Sequence, residues 1–312
     1  MRGLGFLRRV YGILFSKPPN IIIETSSACN ARCVWCWMYV SKRKKAGFID
    51  RKSFEKFIDL NVAQYGKVPL TPYFRGEPLL HKEFFEMVEY AAEKGWRLMD
   101  IHSNLAVDTD LERLSKVPFR QIIVNVGGTT KESHEAAIQR TSFEKVTANL
   151  KELFPLARKS GLKVYVKMNV TKHNVHLIDE LPNFVASLGG DPEKAQVNST
   201  GFPLPALATE EETKTFFDSV VSPPVVDHLR FTFIERDGHY EIKTIRGPFC
   251  KFLHPVITYS GDVTVCCHDH LGLLKLGNAF EKPLAEILGS WAYKKAACKG
   301  LFRQLSFCPE CN

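Results

Sequence analysis

The sequence predicts an α/β protein built on parallel strands, followed by a smaller α+β segment of hairpins and a helix. Three observations carry this. Over roughly residues 20–198, short β-branched runs alternate six times with amphipathic stretches of helical period. Near residue 200 the alternation stops and hairpin signals begin. The nine cysteines fall in two groups, at 29–36 and 250–311, with none between.

The strands are expected at Ile21-Ile22-Ile23, Leu70 to Phe74, Leu98 to Ser103, Gln121 to Val126, Lys163 to Val170 and Ala195 to Asn198. The helices between them are expected at Ser53 to Gln64, His81 to Lys94 (stopped by Gly95), Asp110 to Ser115, Phe143 to Lys159 (stopped by Gly161) and Val175 to Leu188, with Pro182 inside the last. Phe54, Phe57, Ile58 and Val62 share one face of the first. Six βα repeats imply right-handed crossovers between parallel strands. Periodicity alone does not choose between an open doubly wound sheet and a barrel, but in both the loops at the strands' C-terminal ends form the active face.

Beyond a proline-punctuated region that still holds a helix at Glu210 to Val220, two hairpins are expected. Leu229 to Glu235 and Tyr240 to Ile245 flank Asp237-Gly238. Val256 to Tyr259 and Val263 to Cys266 flank Ser260-Gly261-Asp262. A last helix runs from Leu284 to Ala297. The expected organisation is a basic amphipathic segment at 1–19, a core at 20–228 and a C-terminal segment at 229–312.

The chain has 312 residues, 45% apolar and 24% charged, which excludes disordered and coiled-coil classes. No apolar run is long enough to span a bilayer. Arg8 and Arg9 break the N-terminal apolar stretch and no cleavage site follows, so a cytoplasmic protein is expected. Two roles are open to Phe6 to Phe15: peripheral contact with a membrane surface, or packing across the open bottom of a barrel, which is the reading adopted. The net charge of +8 admits an anionic substrate or an acidic partner. Lys42 to Lys45 lacks the aromatic interleaving of a nucleic-acid module, and no nucleic acid is expected.

Cys29-x3-Cys33-x2-Cys36 follows the first strand directly. Three thiolates in one loop can hold three irons of a [4Fe–4S] cube and leave the fourth without a protein ligand. The alternatives are a zinc site with a distant fourth ligand, or unligated buried cysteines. Arg75-Gly76-Glu77-Pro78 ends the second strand, where a glycine lets backbone approach a ligand and a carboxylate suits a cation.

The segment from Glu24 to Cys36, with Trp35 as the aromatic before the third cysteine, resembles the signature of radical S-adenosylmethionine (SAM) enzymes. The resemblance implies a partial (βα)6 TIM-like barrel, and a cluster whose open iron is chelated by SAM. It also implies reductive cleavage of SAM to a hydrogen-abstracting 5′-deoxyadenosyl radical and a flavodoxin- or ferredoxin-type electron donor. Gly76 and Glu77 match the motif that binds the SAM ammonium, with Arg75 in place of its first glycine. Ser103 and Asn104 stand where the family often has Thr-Asn-Gly. Asn125 stands at the position of a ribose-binding serine, with the neighbouring acidic residue missing. Arg140 matches an arginine that pairs with the SAM carboxylate; its bland reading is a surface charge.

Cys250, Cys266, Cys308 and Cys311, with Gly261 and Leu276-Gly277-Asn278 between them, resemble the SPASM/twitch extension of that family. One auxiliary [4Fe–4S] cluster held by all four sulfurs is implied, zinc on the same sulfurs being the alternative. Cys267 follows a ligand directly and opens Cys267-His268-Asp269-His270; Cys298 lies on the last helix. Cys267 as hydrogen-atom donor, or Asp269 (or His268) as proton acceptor, are the catalytic candidates, against a reading as packing and polar loop.

The expected function is oxidation of a small carbohydrate- or cyclitol-like compound. Rivals are an epimerase with a cysteine donor, a maturase acting on a short peptide, and, from another class, a non-catalytic iron–sulfur electron carrier. The sequence does not fix the oligomeric state.

Overall fold

The computed structural model describes residues 10–36, 38, 46–198, 209–222, 225, 233–236, 239–242, 250 and 253–305. They fall into two compact units. One comprises Met1–Ala28, Lys45–Met99 and Arg246–Cys311; the other comprises Cys29–Lys44 and Asp100–Ile245.

The first unit is built on β1 (Ile21–Ile23), α1 (Arg51–Tyr65), β2 (Leu70–Thr71) and α2 (Phe84–Glu93). β1 and β2 are parallel, with Ile21 opposite Leu70. β1 is wholly apolar and buried, as a strand covered on both faces must be. α1 starts where the Asp50 carboxylate accepts from the Ser53 N–H, and buries Phe54, Phe57, Ile58, Asn61 and Tyr65 along one stripe.

The second unit carries β3 (Asp100–Ser103), α3 (Leu111–Lys116), β4 (Gln121–Val126), α4 (Lys131–Ala137), α5 (Phe143–Ser160), β5 (Lys163–Asn169), α6 (Leu181–Ser187), β6 (Ala195–Asn198) and α7 (Glu210–Val220). Its sheet has the order β3-β4-β5-β6, all parallel. Ile101, Ile122, Val124, Val126, Val164, Val166 and Met168 alternate onto one buried face. The opposite face carries His102, Asn125, Tyr165, Lys167, Gln196 and Asn198. α5 ends at Gly161, whose φ of 82° is the left-handed stop that its position in the sequence predicts.

β7 (Phe233–Arg236) and β8 (His239–Ile242) form the first expected hairpin. In the first unit, β9 (Leu253–Ile257) and β10 (Val263–Cys266) form the second. β9 also lies parallel to β1, with Val256 opposite Ile22, so the sheet order is β10-β9-β1-β2. α8 (Leu284–Gly289) and α9 (Trp291–Leu301) close the described chain. No helix among the described residues is long and apolar enough to cross a membrane.

Three elements differ from the sequence reading. The helix expected at 175–188 is a 3-10 turn, Val175–Glu180, followed by α6, because Pro182 suits only a first helical turn. The helix expected at 284–297 is two, divided at Ser290, whose hydroxyl accepts from the Tyr293 N–H and starts α9. α4 was not expected; Thr130 and Ser133 form a capping box behind a Gly-Gly-Thr run that reads as loop.

At the C-terminal ends of the second unit's strands, Asn174 is a clip. Its amide donates to the Gly127 carbonyl (2.7 Å) and the Asn169 carbonyl (2.9 Å), and its oxygen accepts from the Thr171 N–H (2.7 Å). Buried His134 is the second clip. Its Nδ1 accepts from the Gly127 N–H at 3.2 Å, so Nε2 carries the proton and donates to the Thr141 hydroxyl, also at 3.2 Å. Burial pushes its pKa down to about 4.

A histidine held neutral in the fold and charged at ordinary pKa when unfolded contributes stability that is complete above about pH 6.5 and is lost as pH falls from there towards 4. His134 accounts for roughly 3 kcal/mol of that acid limb at 1.4 kcal/mol per pKa unit. Urea unfolding at stepped pH would show the wild-type midpoint falling over this window and His134→Phe falling less; parallel slopes would remove His134 from the account.

Candidate cofactor and metal centre

In the second unit, the three-cysteine loop is fixed by backbone. Arg32–Cys33 pairs antiparallel with Ile138–Gln139, and the Val34 N–H donates to the Ala137 carbonyl. The Cys36 N–H donates back to the Cys33 carbonyl at 2.9 Å, turning the chain so that Cys33 and Cys36 sit at the two ends of one turn around Trp35. Cys29 is exposed; Cys33, Cys36 and Trp35 are half-buried. Asn30 donates to the Ala106 carbonyl at 3.0 Å. Asn104 donates to the Asn30 side-chain oxygen at 2.9 Å and lies 4.0 Å from the Cys29 sulfur. Ser103 is buried and its hydroxyl accepts from the Leu105 N–H. Asn125 is half-buried on β4. Arg140, exposed, follows the bridge strand that holds Arg32–Cys33 and has a φ of 64°, a left-handed conformation that costs a non-glycine residue energy. The structure thus places Cys29, Cys33 and Cys36 along one backbone-pinned loop, with Asn104 against Cys29 and Arg140 following the strand paired to it; among the described residues no group of three or more Cys, His, Asp or Glu side chains is drawn together as a metal site.

In the first unit, Gly76 has a φ of 70° and is pressed onto the segment leading to Cys29. An added Cβ would stand 2.5 Å from the Ala28 carbonyl oxygen and 2.7 Å from that of Ser26, so only glycine fits. The Glu77 N–H donates to the Ala28 carbonyl at 2.8 Å. The Glu77 carboxylate is buried (1% exposed) and accepts from the Leu79 N–H, capping the turn Pro78–Leu80.

Arg75 stands where the motif it resembles has glycine, and the structure shows its contacts. Its guanidinium holds both oxygens of the fully buried Glu24, at 2.6 and 2.7 Å, and donates to the His270 carbonyl at 2.7 Å. Glu24 also accepts from the Tyr259 N–H, and Phe74 stacks on the His270 ring. The end of β1, the Gly76-Glu77 turn and the loop after β10 are therefore tied through one ion pair.

That loop follows Cys266. Cys250 and Cys266 are both buried at 4% exposure, and the Cys250 N–H donates to the Leu301 carbonyl. The His268 N–H points at the Cys266 sulfur at 3.4 Å, the contact that stabilises a thiolate bound to iron. The hydrogen bond with Cys267, then burial, push the Cys266 thiol's pKa well up. Cys308 and Cys311 lie outside the described residues. Cys267 is half-buried and Cys298 exposed. Asp269 is 1% exposed and its carboxylate accepts three hydrogen bonds from its own neighbourhood: the Thr264 hydroxyl (2.8 Å) and the Leu273 (2.7 Å) and Leu274 (2.9 Å) N–H groups. That makes it the organiser of the loop. Burial lowers the pKa of His268 to about 4 and of His270 to about 3, so both rings are neutral at pH 7.

The donor chemistry fits iron–sulfur groups: three soft sulfurs on one pinned loop, and two buried sulfurs with an N–H aimed at one of them. Sequence reasoning missed Glu24 as a participant, the reach of Arg75 to His270, and the Asn174 clip. A carboxylate directly after a fully apolar strand, with an arginine ending the neighbouring strand, was the available signal for the first two.

The family model described as Radical SAM superfamily matches residues 23–187, and the model for an iron-sulfur cluster-binding domain matches residues 249–312. The AdoMet-dependent heme synthase of Methanosarcina barkeri is 26% identical over 180 residues, covering 57% of this chain and 50% of that protein. The chain thus spans about half the length of that relative. The tungsten-containing aldehyde ferredoxin oxidoreductase cofactor-modifying protein of Pyrococcus furiosus is 24% identical over 307 residues, covering 88% of this chain and 81% of that one. Among solved structures, BtrN in complex with AdoMet and 2-DOIA aligns over 94% of this chain and 92% of its own, with a TM-score of 0.58 and 17% identity. The likeness shows the fold, a partial (βα)6 barrel.

Removing the guanidinium leaves the Glu24 charge buried and uncompensated. Arg75→Gln is expected to cost about 3–5 kcal/mol, the range for breaking a buried pair, and Glu24→Gln/Arg75→Gln to recover more than half of it. Anaerobic denaturant titration measures both; a loss below about 1 kcal/mol would make the pair a solvent-screened one.

Proposed function

The chain belongs to the radical SAM superfamily, and from that premise we propose that it oxidises a small hydroxylated substrate and passes the second electron to the C-terminal iron–sulfur centre. The chain is a radical SAM enzyme and uses SAM, a SAM-binding [4Fe–4S] cluster and iron–sulfur in its C-terminal segment. When bound, these groups supply a one-electron cleavage of SAM, giving a hydrogen-abstracting 5′-deoxyadenosyl group, and a one-electron acceptor.

The residues divide the work as follows. Cys29, Cys33 and Cys36 would hold the SAM-binding cluster. Gly76, pressed against the Ser26 and Ala28 carbonyls, leaves no side chain in the way of a ligand, and the buried Glu77 carboxylate would take the SAM ammonium. Asn104, Ser103 and Asn125 would line the nucleoside, Trp35 would flank the cluster loop, and Arg140 would meet the SAM carboxylate. Cys250, Cys266, Cys308 and Cys311 would hold the C-terminal cluster.

The observation that carries the oxidative reading is the Arg75 bridge. One guanidinium joins Glu24, five residues before Cys29, to the backbone four residues after Cys266. Such a strap keeps an electron acceptor's ligand loop in a fixed relation to the SAM-binding turn of the same unit. Asp269, whose carboxylate accepts from three donors of its own loop, positions that loop. A substrate that loses a hydrogen atom, a proton and an electron ends as a carbonyl compound, so the product is expected two electrons more oxidised. BtrN, which has this fold, was solved with 2-DOIA and AdoMet and supports a small-molecule substrate. A ferredoxin-type protein is the proposed reductant.

Reduced, reconstituted protein should release 5′-deoxyadenosine from SAM, and Cys29→Ala, Cys33→Ala or Cys36→Ala should abolish release. Cys250→Ala and Cys266→Ala should keep SAM cleavage, lower iron per chain and lose the oxidised product. Glu77→Gln should raise the KM for SAM by about tenfold or more, the scale of losing one charge-assisted contact. No 5′-deoxyadenosine under verified reduction would leave an electron carrier instead.

A further inference from the structure

The polar face of the second unit's sheet holds a positive charge that the functional reading does not use. Lys167 lies mid-face on β5. In register beside it stand Asn125 on β4 and Gln196 on β6. In a parallel sheet such partners are about 4.8 Å apart, so their amides flank the lysine stem. Two strands away, His102 on β3 reaches across, and the Lys167 ammonium lies 3.5 Å from its Nδ1. An ammonium only donates, so Nδ1 is the acceptor and His102 is the neutral tautomer with its proton on Nε2. Burial, then the lysine's charge, push the His102 pKa down to about 3.

No acidic side chain among the described residues forms an ion pair with Lys167. By contrast, Lys94, Lys116 and Lys131 meet carboxylates at the surface. Lys167 is half-buried on a face lined by amides and a neutral imidazole, and burial lowers its pKa. A desolvated ammonium without a counter-charge is costly, and the cost is removed by an anion placed against it. His102 orients the ammonium without neutralising it.

Resting on the radical SAM reading, we propose that Lys167, with Gln196 and His102, forms a subsite for an anionic group of the substrate, a carboxylate or a phosphate, beside the nucleoside-lining Asn125. This narrows the substrate class: hydroxylated acids or phosphorylated polyols fit, and amine-bearing cyclitols are repelled. Lys167 is a specificity-determining residue, and Gln196 supplies N–H donors to the same oxygen atoms.

The test is site-resolved acylation of Lys167 in anaerobic holoprotein with SAM, read by mass spectrometry. The probes are inorganic phosphate, D-galacturonate and uncharged myo-inositol. At saturation an anion should slow acylation about tenfold, the scale of one charge-assisted hydrogen bond, and myo-inositol should not. Protection by galacturonate alone assigns a carboxylate, by phosphate alone a phosphate, and by both an undivided anion site. Equal protection by all three, or by none, overturns the proposal. Anion-dependent thermal stabilisation should vanish in Lys167→Met and persist in Lys167→Arg. Lys167→Met should leave the SAM-induced change in the cluster's electron paramagnetic resonance intact; its loss would place Lys167 in the SAM site and overturn the proposal. Failure of wild-type protein to cleave SAM would defeat the functional reading instead, and the acylation result would still report the anion site.

Discussion

The buried carboxylate of Glu24 is the constraint from which the first unit is organised. It sits at the end of an apolar strand where an uncompensated charge is not tolerated, and three donors meet it: two from Arg75 and the N–H of Tyr259. They come from two distant parts of the chain, residues 75 and 259. The same guanidinium then reaches the His270 carbonyl, so satisfying one charge sets the relative places of the β1 terminus, the Gly76-Glu77 turn and the loop after Cys266. A lysine at position 75 would not do this, since a single ammonium lacks the planar fork that holds two carboxylate oxygens and a carbonyl together.

Around that constraint, backbone does most of the positioning of the functional groups. The cysteine loop is held by paired main chain at Arg32–Cys33 and Ile138–Gln139. Glu77 is oriented by its own turn, and the loops after β4 and β5 are clipped by Asn174. Catalytic loops placed in this way owe little to side-chain packing, which leaves the side chains on the open sheet face available for chemistry. That face carries His102, Asn125, Lys167 and Gln196 beside the buried Ile123, while the other face is apolar throughout β4.

Much of this was legible in the sequence, because the relevant signals are local. Ile21-Ile22-Ile23 reads as a buried strand without context, and Gly161 announces its helix end by residue type. The cysteine spacing and Gly76 are likewise short-range patterns. What could not be read depends on distant partners. Arg75 is an apparent departure from a glycine motif until Glu24 and the His270 carbonyl, 195 residues away, are seen beside it. Asp269 stands in a His-Asp-His run, and only the fold reveals that its oxygens accept from Thr264, Leu273 and Leu274. The division of the last helix rests on Ser290, which reads as mid-helix until its hydroxyl is seen capping the following turn.

The parallel pairing of β9 with β1 has a consequence for biosynthesis. On the ribosome, β1 emerges early and finds β2 soon after, but its other edge stays bare until residues 253–257 have been made. Through most of translation a fully apolar strand therefore presents open main-chain hydrogen-bonding groups, a template for illegitimate pairing with another nascent chain. Delivery of metal to the first cysteine loop before this late closure would occur on an unfinished sheet. The maturation order that avoids both hazards completes the polypeptide first and installs its inorganic centres afterwards.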